Sequence, residues 1–368
     1  MKQALKLFFI IISIGLLNLT LDVYAKNQKL DFDRDILNQY EHTIPILVIG
    51  SGPGGYSAAI YGGRAHMPVA LITGNKVGGQ LGDSAYVENI PGIDGRAGHE
   101  VVELYRAQAE RFGTHFIYDV VTEVNFDSWP FVIKTEEGRT LHALTVIIAT
   151  GASPRLLGIP GEQEHFGNGI SVCATCDGIL FTGKNIVIVG GGDAAMEQAE
   201  MLAPLVKEIT ILVRSCELRA APHVHKRLKE YGNVSILYNK KVLEVIGNDD
   251  GVTGVLVMDT VTDREYFMPT DGIFLAIGHN PNTELFKPYL KLDKAGYIEL
   301  EARDQKTNIP GVFAAGDVCD YYRQAVVAQA QGAMAAIDAL RFLREDVGIT
   351  DKTVRSLSTL YKGLKLHE

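Results

Sequence analysis

Cysteine is scarce in this chain: four in 368 residues, too few for the disulfide framework that staples small secreted domains. A basic excess is also lacking. Lysine and arginine total 35 against 44 acidic residues, a net charge of −9, which argues against a general nucleic-acid binder because such a protein presents a basic face. No repeat with a period of roughly 20–50 residues is present, so a solenoid is excluded. Long apolar runs are lacking but for one, LFFIIISIGLLNLTL at Leu7–Leu21. It is shorter than the ~20 residues a membrane span needs. Lys2 and Lys6 precede it, and Val23 and Ala25 follow in the small-residue positions of a cleavage site. Residues 1–25 therefore have the layout of a signal peptide, or serve as an anchor, and the polar stretch 26–43 reads as a linker.

The remainder has the composition of a globular protein of about two domains, 46% hydrophobic and 21% charged. Glycine is abundant, with 38 residues, and it is clustered. Two segments repeat one pattern of apolar run, glycine cluster and helix-compatible stretch. They are IPILVIGSGPGGYSAAIYGGRA at Ile44–Ala65 and KNIVIVGGGDAAMEQAEMLA at Lys184–Ala203. The first fits G-x-G-x-x-G at Gly50, Gly52 and Gly55; the second fits G-x-G-x-x-A at Gly190, Gly192 and Ala195. In such a turn the first glycine reverses the chain and the second lets backbone approach a pyrophosphate. The third small residue brings the helix close to the strand, and the helix N-terminus offers its unpaired N–H groups to the phosphates. Further apolar runs end on glycine at Thr145–Gly151 and Asp271–Gly278, while Val312–Asp317 adds an acid. FVIKTEEGRTLHA and GVLVMDTVTDREYF read as hairpins. The expectation is an α/β protein with two nucleotide-binding units, each carrying antiparallel additions.

The strand after the second glycine turn, ITILVRS, ends on Arg214, and Arg219 follows. An acid there would suit the 2′-hydroxyl of NAD; guanidinium suits the 2′-phosphate of NADPH. The first unit has no acid at the matching place. Asp317, far downstream at a strand end, suits a ribitol hydroxyl of a flavin; it also suits a helix N-cap, and the two readings are compatible. The pair Cys173–x–x–Cys176 in SVCATCDG suits reversible disulfide chemistry. A zinc site would need a second pair, and Cys216 and Cys319 are isolated.

Taken in order, GSGPGGYSAAIY, LITG, GGQL, VENIPG, IIATGASPR, CATCDG, GGGDAAMEQA, LRA, AIGHNPNT and TNIPGVFAAGDVCDYYRQA resemble the low-molecular-weight, bacterial-type thioredoxin reductases from about Ile44 to Leu343. The resemblance implies two Rossmann-like three-layer domains: an FAD domain over 44–153 and 279–343, with an NADPH domain, 154–278, inserted between its halves and carrying the Cys pair. Residues 344–368 would be an added segment. It implies FAD contacts at Gly50, Gly52, Gly55, Thr73, Gly74, Gln80, Asn89, Asp317, Arg323, Gln324 and Ala325. NADPH contacts fall on Gly190, Gly192, Asp193, Arg214 and Arg219. Cys176 would lie nearest the flavin, Cys173 would attack the thioredoxin disulfide, and Asp177 would protonate the leaving thiolate. A homodimer and a rotation of one domain against the other are implied as well. Because NADPH is a cytoplasmic reductant, the catalytic part is expected in the cytoplasm, anchored by residues 7–21; export after cleavage is the alternative.

The chain departs from the family pattern in places. Ser215 replaces a second arginine, which would weaken discrimination against NADH about 10–100-fold. The loop DVCDYYRQA is one residue short. Gly62 and Gly63 sit inside the first helix, where each costs about 1 kcal/mol against alanine, so close packing there is expected. Two other readings keep the Cys pair and flavin: a reductase of a different dithiol partner, and a non-catalytic flavin sensor.

Overall fold

The computed structural model describes residues 43–349 apart from 222–225, 229 and 302. The leader or anchor, most of the linker and the tail from residue 350 lie outside the described residues. No helix among those described is long and apolar enough to cross a membrane.

The first unit is built on a seven-stranded sheet. Its early strands are β1 (Thr43–Ile49), β2 (Val69–Ile72), β3 (His115–Ile117), β4 (Val121–Asn125), β5 (Phe131–Thr135) and β6 (Thr140–Ile148). Strands β3, β2, β1 and β6 lie side by side and parallel. The first half of β6 pairs antiparallel with β5 in the expected hairpin. Helices α1 (Pro53–Arg64) and α2 (Gly98–Arg111) cover one face. The apolar runs of β1, β2 and the second half of β6 are buried without alternation, as parallel strands covered on both faces must be.

The chain then crosses through β7 (Ala152–Pro154) into a second unit. Here β8 (Ile170–Ser171) is followed by the short helix α3 (Ala174–Asp177), β9 (Asn185–Val189), α4 (Asp193–Leu202), β10 (Glu208–Val213) and β11 (Val234–Tyr238). Next come β12 (Lys240–Asn248), β13 (Gly251–Asp259), β14 (Glu265–Pro269) and β15 (Gly272–Leu275). A parallel five-stranded sheet runs in the order β11-β10-β9-β15-β8, and β12, β13 and β14 form a separate antiparallel sheet. The hairpin expected from GVLVMDTVTDREYF is β13–β14.

The chain returns through β16 (His279–Pro281), which pairs antiparallel with β7, and completes the first sheet with β17 (Val312–Ala314) beside the second half of β6. The second unit is thus inserted between two parts of the first. Cross-bonds tighten the ribbon: Arg155 Nε donates to Asn280 Oδ1 at 2.8 Å and Ser153 Oγ to Asn282 Oδ1 at 3.0 Å. The chain then forms α5 (Ala325–Arg341), which lies on α1. A Cβ on Gly332 would stand 2.0 Å from Gly54 O, so the two backbones meet almost directly. The glycines inside α1 have the expected close neighbours: a Cβ on Gly63 would stand 2.6 Å from Phe112 O, and one on Gly62 2.8 Å from Val69 Cγ2.

Candidate functional site

A cleft of about 1070 Å³ opens at the C-terminal ends of β1, β2 and β6, where ligands bind in open parallel sheets. Its floor is the first glycine turn. Gly50 sits at φ 108°, and a Cβ there would meet Ala149 O at 2.3 Å, so only glycine makes this turn. Gly52 has nothing within 4 Å of where a Cβ would stand, which leaves an open cradle at the N-terminus of α1. Gly55 packs instead of lining: a Cβ there would lie 1.9 Å from Gly50 O. Buried Ser51 ties the turn to the next wall, donating to Thr73 O at 2.8 Å and accepting from Gly78 N at 3.1 Å. Sequence reasoning passed over it because the glycines around it carry the motif.

Thr73, Gly74, Gln80, Asn89, Asp317, Arg323, Gln324 and Ala325 all line the cleft. Asp317 follows β17 and caps no helix, since α5 starts only at Ala325. Burial pushes its carboxyl up to about 6, with Arg323 pulling against that rise. Arg323 stands at φ 52°, and its buried Nε has no partner among the described residues. Its Nη2 donates to Tyr297 OH at 3.3 Å. Gln331 holds the loop from beneath: its Oε1 accepts from Gly316 N and its Nε2 donates to Asp320 Oδ2, both at 2.7 Å. His279 of the β7–β16 ribbon also faces the cleft. Burial, helped by Arg323 and Arg155, holds its imidazole down at about 4, so it is neutral at pH 7. An open glycine cradle, a buried acid at a strand end and an unpaired guanidinium N–H suit a bound dinucleotide with hydroxyl and phosphate groups.

The second unit contributes the other wall. Cys173 and Cys176 are joined in a disulfide, with Cys173 at the N-terminus of α3, and both line the cleft with Asp177. Bonded to each other, these sulfurs are redox groups rather than metal ligands. Asp177 Oδ2 accepts from Ser171 Oγ at 2.6 Å, and Ser171 Oγ accepts from Cys173 N at 3.0 Å. Burial raises the Asp177 carboxyl above the ordinary range, and the serine hydrogen bond opposes the rise. Gln324 Nε2 reaches across from the first unit to Thr175 Oγ1 at 3.1 Å.

The second glycine turn repeats the first. Gly190, at φ 151°, would place a Cβ 2.5 Å from Ala276 O, while Gly192 is open and caps α4. Ala195 is fully buried in the third position. Asp193 turns its carboxylate sideways: Oδ1 accepts from Ala221 N at 2.8 Å, and Arg219 N donates to Gly191 O at 2.7 Å. The carboxylate thereby holds the loop that carries Arg219 over the turn. Arg214 and Arg219 are exposed, and neither makes an ion pair among the described residues. Ser215 Oγ donates to Glu217 O at 2.7 Å, so it shapes this loop where a cation was expected. None of Gly190, Gly192, Asp193, Arg214 or Arg219 lines the cleft. The structure brings the first glycine turn and the disulfide together and leaves the second turn outside.

One glycine turn and a disulfide share the cleft while a second glycine turn lies outside it, and the sequence model for pyridine nucleotide-disulphide oxidoreductases matches residues 44–332. The chain belongs to that family. Its members work with flavin and nicotinamide cofactors. A thioredoxin reductase of Coxiella burnetii is 42% identical over 316 residues, covering 83% of this chain and 98% of its own. One of Escherichia coli O157:H7 is 41% identical over 309 residues, covering 81% and 95%. Among solved structures, a thioredoxin reductase of Streptococcus pyogenes superposes with a TM-score of 0.78 at 35% identity, covering 83% of this chain and 99% of that one.

Proposed function

We propose that this protein is an NADPH-dependent, FAD-containing thioredoxin reductase. The observation that carries the reading is the Cys173–Cys176 disulfide set in the wall of a cleft whose floor is a dinucleotide turn. In this reading the first unit holds FAD through Gly50, Gly52, Thr73, Gly74, Gln80, Asn89, Asp317, Arg323, Gln324 and Ala325, with Gly55 packing beneath. The second unit holds NADPH through Gly192, Arg214 and Arg219, with Gly190 and Asp193 shaping the turn. When bound, the flavin supplies two-electron transfer from the nicotinamide to the disulfide.

The protein's own groups do the rest. Once the disulfide is open, the Cys173 thiolate attacks a sulfur of the thioredoxin disulfide, forming a mixed disulfide and expelling one thioredoxin thiolate. Cys176 then attacks Cys173 Sγ, which re-forms the internal disulfide and releases the second thiolate. Asp177, kept protonated longer than an ordinary aspartate by its burial, supplies a proton to a departing thiolate. The need for NADPH supports a cytoplasmic setting for the catalytic part, and the resemblance to the relatives supports a homodimer.

The test is NADPH oxidation by the purified yellow protein with and without oxidised thioredoxin, beside Cys176→Ser. Turnover that requires thioredoxin and disappears in the variant, with flavin retained, is expected. Flavin reduction by NADPH with no thioredoxin turnover would overturn the substrate assignment and leave another dithiol partner or a sensor. Sedimentation of the same preparation reads the oligomeric state.

A further inference from the structure

Beside the disulfide is a short chain of hydrogen bonds that crosses from one unit to the other. Asn89 Nδ2 donates to Gln324 Oε1 at 3.4 Å, and Gln324 Nε2 donates to Thr175 Oγ1 at 3.1 Å. Thr175 Oγ1 lies 3.2 Å from Cys173 Sγ. The direction of this last contact follows from chemistry. A disulfide sulfur carries no hydrogen, so the threonine hydroxyl is the donor. Its oxygen meanwhile accepts from Gln324, which polarises the O–H further toward the sulfur. All three donors thus point the same way, toward Cys173.

We infer that Thr175 is a positioning residue for Cys173, donating its hydroxyl proton to the sulfur and stabilising the thiolate that forms when the disulfide opens. The inference rests on the redox role of the Cys pair given above. Reduction of the disulfide by two electrons, which NADPH supplies by way of the flavin, breaks the Sγ–Sγ bond. It leaves a negative charge on each sulfur until protons are taken up. A hydrogen bond to the charged form favours that form and lowers the thiol pKa. The other groups facing the cleft do not do this for Cys173. Asp177 on its own helix, Glu197 on α4, and Asp83 and Asp317 of the first unit are carboxylates. The first unit's cations there are Lys76, which is paired with Asp83, and Arg323; its His279 is neutral. Carboxylates outnumber cations, and their field opposes a thiolate. The hydroxyl is the group in hydrogen-bond contact with the sulfur that works the other way. Because Gln324 belongs to the first unit, the support is complete only while the two units are arranged as here, with the disulfide in the flavin cleft.

The test is the pH profile of Cys173 alkylation in the full-length, flavin-loaded protein. It is reduced with dithiothreitol, desalted without oxygen and pulsed with iodoacetamide. The modified cysteine is identified by fragment mass spectrometry. In Thr175→Val the midpoint for Cys173 is expected to rise by about one pH unit. In Thr175→Ser, which keeps the hydroxyl, it should stay near wild type. An unchanged midpoint in Thr175→Val would overturn the inference, and so would an equal rise in Thr175→Val and Thr175→Ser, which would mark a packing effect. Should the valine variant lose its flavin, Thr175→Ala removes the same hydroxyl and is read in the same way. The assay needs neither NADPH nor thioredoxin, so its failure is distinct from a failure of the substrate assignment.

Discussion

Ser171 Oγ stands 2.6 Å from Asp177 Oδ2 and accepts from Cys173 N, so one hydroxyl joins the acid to the first redox cysteine. The serine is buried, as is most of the carboxyl, and the bond is the main force restraining the upward shift that burial imposes on Asp177. Removing the hydroxyl removes that restraint. In Ser171→Ala the pH limb of thioredoxin turnover that belongs to Asp177 should therefore move to higher pH, and in Asp177→Asn it should vanish. Turnover measured from pH 5 to 9 reads both; a limb that stays in place in Ser171→Ala would separate the serine from the acid.

Asp317 gives a second pH dependence. Its carboxyl titrates near 6 in the cleft, raised by burial. If, as proposed, a ribitol hydroxyl of the flavin donates to it, the ionised form is favoured, and flavin binding should release a proton and weaken as pH falls through about 6. Flavin released on acidification, followed by its fluorescence, should rise below that value in the wild type. Asp317→Asn should hold flavin more weakly at pH 8 and show no such limb.

If the exposed Arg214 and Arg219 hold the 2′-phosphate of NADPH as proposed, they set the nicotinamide preference. Arg214→Ala or Arg219→Ala should each raise the KM for NADPH by about tenfold, the low end expected for a charged hydrogen bond at a solvated site. The KM for NADH should barely change. Asp193→Ala should raise the NADPH KM less, because it only loosens the loop that Asp193 holds through Ala221 N. Initial rates with both nucleotides distinguish these effects.

Packing between α1 and α5 is tested by Gly332→Ala. The new Cβ would stand 2.0 Å from Gly54 O, a backbone atom, so a helix must shift. Overpacking of this kind costs about 1–3 kcal/mol. The urea midpoint should fall accordingly, while the alkylation profile of Cys173 stays unchanged.

The parts of the site that one short segment builds were legible in the sequence. Gly50 and Gly190 announce their turns by the positive φ that glycine alone adopts freely, and Cys173 and Cys176 meet within one helical turn. Strand ends at Ile148, Leu275 and Ala314 were marked by the glycines that follow them. What depends on how distant segments dock was not legible. Thr175 and Gln324 are 149 positions apart, and nothing in either neighbourhood signals the other. Ser171 carries no signal of its own in the sequence, and its hydroxyl meets Asp177 only through the way β8 and α3 fold together. The bond from Ala221 N to Asp193 Oδ1 was likewise hidden, because that partner is fixed by the fold of the intervening residues. The helix-cap reading of Asp317 fell only when α5 was seen to begin at Ala325.

The covalent tie between the units is narrow. The chain passes from one to the other twice, and both passages run side by side in the β7–β16 ribbon. Each passage is flanked by a glycine at positive φ, Gly151 at 69° and Gly278 at 97°. The ribbon would serve as a hinge pin: swinging the second unit would ask for backbone rotation at a few residues and would leave both large sheets intact. Contacts such as Gln324 to Thr175 then act as a catch on a door rather than as part of its frame, and a label pair placed across the cleft would report one swing instead of many independent motions.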